Sequence, residues 1–154
     1  GNKIEFDDIS QIFVNQGPGN FSGLRGSLAT GKGISISKNL KLFGYNTFIL
    51  SSVKFFNKKN LIFSLIKFRE KYFVKKFDKN LNSISKIQEI TKEEIIKNCS
   101  NEFKVIPKNL KKNFDKEILK LNNISIVDMD HNELEFLRLK GLLDENLIKP
   151  LYLS

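Results

Sequence analysis

Lysine next to glycine in a glycine-rich run is the chemistry of phosphate binding. This chain of 154 residues places six of its nine glycines between Gly17 and Gly33, in the stretch GPGNFSGLRGSLATGKG. Gly26-Ser-Leu-Ala-Thr-Gly31-Lys32 fits the first seven positions of a P-loop, whose backbone amides wrap phosphate while the lysine reaches the outer phosphates. The eighth position breaks the pattern, because Gly33 stands where a Ser or Thr hydroxyl must meet magnesium. A P-loop also begins where a strand ends, and Gly26 falls several residues inside an expected helix. Gly17, Gly19 and Gly23 miss the dinucleotide spacing G-x-G-x-x-G by one residue. A strand followed by a glycine turn and a helix start still offers free amides to an anion.

The same glycines have a packing reading. On a helix, Gly26, Thr30 and Gly33 recur at i, i+4 and i+7 with Ala29 beside them, which makes one face of small residues. Each interior glycine sacrifices roughly 0.5 to 1 kcal/mol of helix propensity. The usual return is the close approach of another backbone, in the same chain or across an interface, so this face is expected to be tightly packed. Gly17-Pro18-Gly19 is the turn that precedes the helix, with Asn20 or Ser22 as N-cap. Arg25, one of three arginines, is placed to tie the turn's carbonyls or to meet a partner's carboxylate.

Other reactive side chains are few. The single cysteine, Cys99, excludes an internal disulfide and a Cys-rich zinc site, and the lone histidine, His131, excludes a two-histidine metal centre. Asp7-Asp8 and Glu93-Glu94 fall at expected helix starts, where negative charge complements the helix dipole. No catalytic group, metal or cofactor is expected. The formal charge of +9 invites a nucleic-acid reading. Nearly all of the excess is lysine, however, in a chain rich in Ile and Asn with Ala29 as its one alanine. This fits a solvated lysine face. No run approaches the roughly 18 apolar residues of a membrane span, and the expected location is the cytoplasm. The chain opens at Gly1 rather than methionine, which leaves processing, a tag remnant or a piece of a longer protein.

The elements that must position these residues follow from periodicity and punctuation. Residues 11–16 read as a buried strand, followed by the turn and a helix with Phe21, Leu24 and Leu28 on one side, closed by Ser37-Lys38-Asn39. A strand over 41–45 and a helix over 47–56 come next. Two strands flank the polar turn Arg69-Glu70-Lys71, with a third expected over 83–90. Thr91-Lys-Glu-Glu94 is a capping box for a helix over 92–98. Strands are expected over 103–106 and 124–127, and a last helix over 133–143. The sum is an α/β protein: residues 1–57 a βαβα first lobe, residues 58–154 a second lobe with a mainly antiparallel sheet.

Gly17-Pro-Gly-Asn-Phe-Ser-Gly-Leu-Arg25, then Leu28-Ala-Thr and Lys32-Gly33, resembles the GPGSFTGLR signature of the TsaB family. Pro150-Leu-Tyr-Leu153 resembles that family's closing P-x-Y-L-R, with Ser154 where arginine is usual. The resemblance implies an actin-like (ASKHA, ribonuclease H-like) two-lobed fold whose first lobe lacks its usual N-terminal segment. It implies a non-catalytic dimerisation subunit of the machinery that makes threonylcarbamoyladenosine on tRNA. The partners it implies are a TsaD-like catalytic subunit, a TsaE-like ATPase, tRNA through the complex, and a second copy in a homodimer. On this reading the face of Gly26, Ala29, Thr30 and Gly33 contacts the catalytic subunit or a second copy, or else packs on a preceding helix of its own lobe. There are departures. Asn20 and Ser22 replace Ser and Thr, Gly26 and Gly31 replace an aliphatic residue and an alanine, and Lys67-Phe-Arg69 stands for Asp-Ala-Arg. The rival readings are a basic RNA-binding module acting on tRNA directly and a nucleotide-binding enzyme.

Overall fold

Ile12-Phe-Val14 is the apolar centre of the first strand, β1 (Gln11–Asn15), and the glycine turn after it releases the chain into α1 (Phe21–Lys38). The computed structural model describes residues 10–19, 21–145 and 148–153. Asp7, Asp8 and the candidate cap Asn20 lie outside the described residues, as does the side chain of Ser22. Helix α1 ends where Asn39 takes a left-handed φ of 54° and Leu40 N donates back to Ser35 O at 2.9 Å, a C-terminal cap built on Asn instead of Gly. The chain then enters β2 (Lys41–Tyr45), which pairs in parallel with β1 so that Val14 lies opposite Gly44. Parallel pairing requires a crossover, and α1 supplies it. Val14, Leu28 and Ile148 form the buried centre between helix and strands, with Ile12 and Leu42 against it.

After α2 (Thr47–Ser52) and a 3-10 turn at Val53–Phe55, strands β3 (Leu61–Phe68) and β4 (Lys71–Asp78) form a hairpin. Its two-residue turn puts both Arg69 and Glu70 at positive φ, 51° and 64°, as a tight hairpin with right-handed twist demands. Then come β5 (Gln88–Ile90), α3 (Lys92–Asn98), β6 (Lys104–Pro107), a 3-10 turn (Lys108–Asn113), α4 (Lys116–Leu119) and β7 (Ile124–Val127). The sheet runs β5-β4-β3-β6-β7. The β5-β4-β3 side is antiparallel, but β3-β6-β7 is parallel, so the sheet is mixed rather than mainly antiparallel. Helical segments between β5 and β6 and between β6 and β7 carry the crossovers. The third strand is shorter than the expected 83–90, because only an isolated bridge, Phe77 to Ser83, precedes Gln88.

The last helix, α5 (Leu134–Leu139), is also shorter than the expected 133–143. Gly141 at φ 70° stops it, with Gly141 N bonded to Arg138 O and Leu142 N to Leu137 O, a Schellman ending. The chain divides into two compact units, 1–47 with 134–153, and 48–133. This differs from a split at residue 57 with everything after it in the second lobe. The reason is the return of the C-terminal segment: Asp144 bridges to Gly44, and Leu151 N donates to Gln16 O at 2.7 Å. Among the described residues no helix is long and apolar enough to cross a membrane.

Candidate functional site

The Gly17-Pro18-Gly19 turn is fixed by the residues before it and by the end of the chain. Asn15 Oδ1 accepts from Gly17 N at 2.8 Å, an Asx turn. Gly17 sits at φ 115°, a region that side chains disfavour, and its peptide to Pro18 is cis. Gly17 O accepts from Thr47 N at 2.9 Å. Gln16, buried in front of the turn, donates from its backbone to Tyr45 O at 2.6 Å. Its side-chain Nε2 donates to Asp144 Oδ2 at 2.9 Å and to Lys149 O at 3.1 Å.

The space over the turn is filled. A Cβ placed at Gly17 would stand 3.1 Å from Leu24 Cδ1 and 3.3 Å from Leu151 O. An anion there would meet an aliphatic side chain and a carbonyl oxygen beside one backbone amide, Gly19 N at 3.2 Å. The P-loop match fares no better, since Gly26 to Gly33 lies wholly within α1, where interior amides are bonded to carbonyls one turn back. The P-loop reading finds no support in this geometry.

Helix α1 presents two distinct faces. Leu24, Leu28 and Gly31 are buried. At Gly31 a Cβ would come 2.6 Å from Val14 Cγ1, so the close helix-to-strand approach belongs to Gly31. The face of Gly26, Ala29, Thr30 and Gly33 is exposed throughout. A Cβ at Gly26 or Gly33 would meet nothing within 4 Å beyond the helix itself. The expectation that this face is tightly packed is therefore not met among the described residues. Ile36, 82% exposed, extends the same side of the helix, and sequence reasoning passed over it. Arg25 is exposed on the first turns of α1. The structure thus brings Gly26, Ala29, Thr30 and Gly33 together on one open surface and keeps buried Gly17 and half-buried Pro18 and Gly19 in the bracket before the helix.

Side chains elsewhere are engaged in the fold. Cys99 is buried at the C-terminal end of α3, and burial pushes its thiol pKa up. His131 is exposed at the start of a 3-10 turn (His131–Glu133). Among the described residues no three His, Cys, Asp or Glu side chains gather where they could hold a metal ion. Sequence reasoning also missed Lys104, which is 0% exposed. Its ammonium donates to Cys99 O, Ser100 O, Glu102 O and Asn122 O at 2.7 to 3.1 Å, and burial lowers its pKa. A lysine opening a short strand after a helix end was the available signal.

No protein-family profile matches the chain. Over 85 residues it is 28% identical to the tRNA threonylcarbamoyladenosine biosynthesis protein TsaB of Buchnera aphidicola subsp. Acyrthosiphon pisum (strain APS), an alignment covering 53% of this chain and 38% of that relative. Two solved structures share the fold. One is an uncharacterised Pseudomonas aeruginosa protein with similarity to peptidase YeaZ, with a TM-score of 0.67 at 11% identity, covering 98% of this chain and 76% of that one. The other is YeaZ from Pseudomonas aeruginosa, also with a TM-score of 0.67, at 12% identity, covering 97% and 77%. The chain is thus similar in sequence to a TsaB protein over part of its length and shares the fold of two YeaZ-type structures. Its fold is the mixed α/β, actin-like one of those structures. The chain spans well under half the length of the TsaB relative it matches. The two stretches that carry the TsaB resemblance, 17–25 and 150–153, meet in the structure through the bracket of Gln16, Gly17 and Leu151.

Proposed function

We propose that this chain is a non-catalytic docking subunit in the formation of threonylcarbamoyladenosine on tRNA. Its partners on this reading are a TsaD-like catalytic subunit and a TsaE-like ATPase, with tRNA reached through the complex. The observation that carries the reading is the open face of α1. Gly26 and Gly33 give up helix propensity without a contact among the described residues to repay it, and Ala29 and Thr30 keep the face between them small. Small residues let a second helix approach until backbones nearly touch, and Ile36 at the end of the face offers an apolar anchor. The bracket around Gly17 packs against Leu24 near the start of α1, and a helix anchored in this way lowers the ordering cost of docking. A second copy of the chain is the other occupant this face suits.

The filled turn and the helical course of the Gly-Lys stretch favour docking over nucleotide chemistry. Co-purification of the untagged chain with a tagged TsaD-like subunit tests the proposal. A stoichiometric complex is expected. If no complex forms and the chain instead binds ATP with magnesium in a calorimetric titration, the proposal fails.

A further inference from the structure

A second surface, in the unit formed by residues 48–133, has no part in the α1 face. Between β7 and α4 lies a cavity of about 420 Å³. Its floor is aliphatic: Leu119, Leu121, Ile124 and Ile126, all half-buried and packed on the core from one side only. Ile124 and Ile126 are two apart on β7, so they face the same way, and β7 is the last strand of its sheet. Lys111, Lys116 and Lys120 rim the cavity.

These three lysines are exposed and form no ion pair among the described residues. The acids beside them are engaged elsewhere. Asp115 accepts from the Tyr72 hydroxyl at 2.7 Å and faces Lys67 at 3.7 Å, while Glu117 pairs with Lys92 at 3.0 Å. The rim therefore keeps its positive charge over an apolar floor.

We infer that this groove binds an extended segment of a partner protein in which aliphatic side chains alternate with carboxylates. Alternation suits the geometry, because one edge of such a segment fills the floor while its carboxylates reach the lysines. RNA fits less well. Bases held by protein stack on aromatic or guanidinium planes, and the floor and rim contain neither.

Fluorescence anisotropy on the whole chain tests this with labelled peptides of repeated Glu-Leu-Asp-Leu and of repeated Glu-Ser-Asp-Ser, and with labelled oligoadenylate. Saturable binding of the leucine peptide is expected, with the serine peptide far weaker. The Lys116→Glu, Lys120→Glu double variant should lose about tenfold in affinity and gain affinity for a repeated Lys-Leu-Lys-Leu peptide. Thermal melting, expected to be unchanged by these surface substitutions, confirms that the variant folds. Equal binding of both acidic peptides, an unchanged affinity in the double variant, or tighter binding of oligoadenylate through the same lysines would each overturn the inference. None of these outcomes bears on whether the α1 face docks a catalytic subunit.

Discussion

Glycine at the residue scale means different things at Gly31 and at Gly26 and Gly33, five residues before it and two after it. Gly31→Ala drives a methyl group into Val14 and should cost about 1 to 3 kcal/mol as overpacking. Gly26→Ala and Gly33→Ala place a methyl group in open space and should each stabilise the helix by about 0.5 to 1 kcal/mol. Urea denaturation of the three variants checks the order, and a destabilising Gly33→Ala would contradict it. Tyr72 makes a second prediction. Its hydroxyl donates to Asp115 Oδ2 at 2.7 Å and accepts from Asp115 N at 2.8 Å. Burial first, then the bond to Asp115, raise the phenol's pKa above its ordinary 10.0. The folded chain thus holds this proton more tightly than the unfolded one. The stabilisation is complete below the ordinary value and is lost as pH climbs toward the raised one. Urea midpoints should fall between about pH 9 and about pH 11, and Tyr72→Phe should flatten that part of the fall.

Among the elements, punctuation decided what could be read in advance. The bounds 41–45, 92–98 and 124–127 match β2, α3 and β7, because turn residues or a cap fence each one. Thr91 does cap α3, accepting from Glu94 N at 3.1 Å, although its hydroxyl donates to the Glu94 carboxylate instead of leaving that group to the backbone. The elements that were misjudged depend on distant contacts. The 83–90 segment is apolar enough for a strand, yet only Gln88–Ile90 finds a pairing partner on β4. The course of the tail back to Gln16 is a tertiary event that no local spacing encodes. The open α1 face was legible as small and not as exposed, because spacing shows which residues share a face and says nothing of what lies opposite. Lys104 belongs to this scale too, since its three N–H donors join the end of α3 to the turn before β7. Lys104→Met keeps the bulk and strands four carbonyls, at a cost of about 3 kcal/mol. Calorimetric melting measures it, and a melting temperature within a degree or so of wild type would refute this role.

At the scale of the whole molecule, the +9 charge and the glycine run both point first to phosphate, and the structure assigns them to other work. The glycines split between a turn closed by Leu24 and Leu151 and a helix with one packed and one open face. The lysines are largely a solvated surface, gathered at one place around an apolar groove. A docking subunit accounts for a helix whose outward face is small and, among the described residues, unfilled. The measurement that tests this most directly is isothermal titration of a TsaD-like catalytic subunit with wild-type chain and with Gly33→Leu. A Cβ at Gly33 would meet nothing within 4 Å beyond the helix itself, so the variant should melt at or slightly above the wild-type temperature while its affinity falls at least about tenfold, because the added side chain keeps the two helices apart. An affinity equal to wild type in a variant at least as stable as wild type would contradict the account.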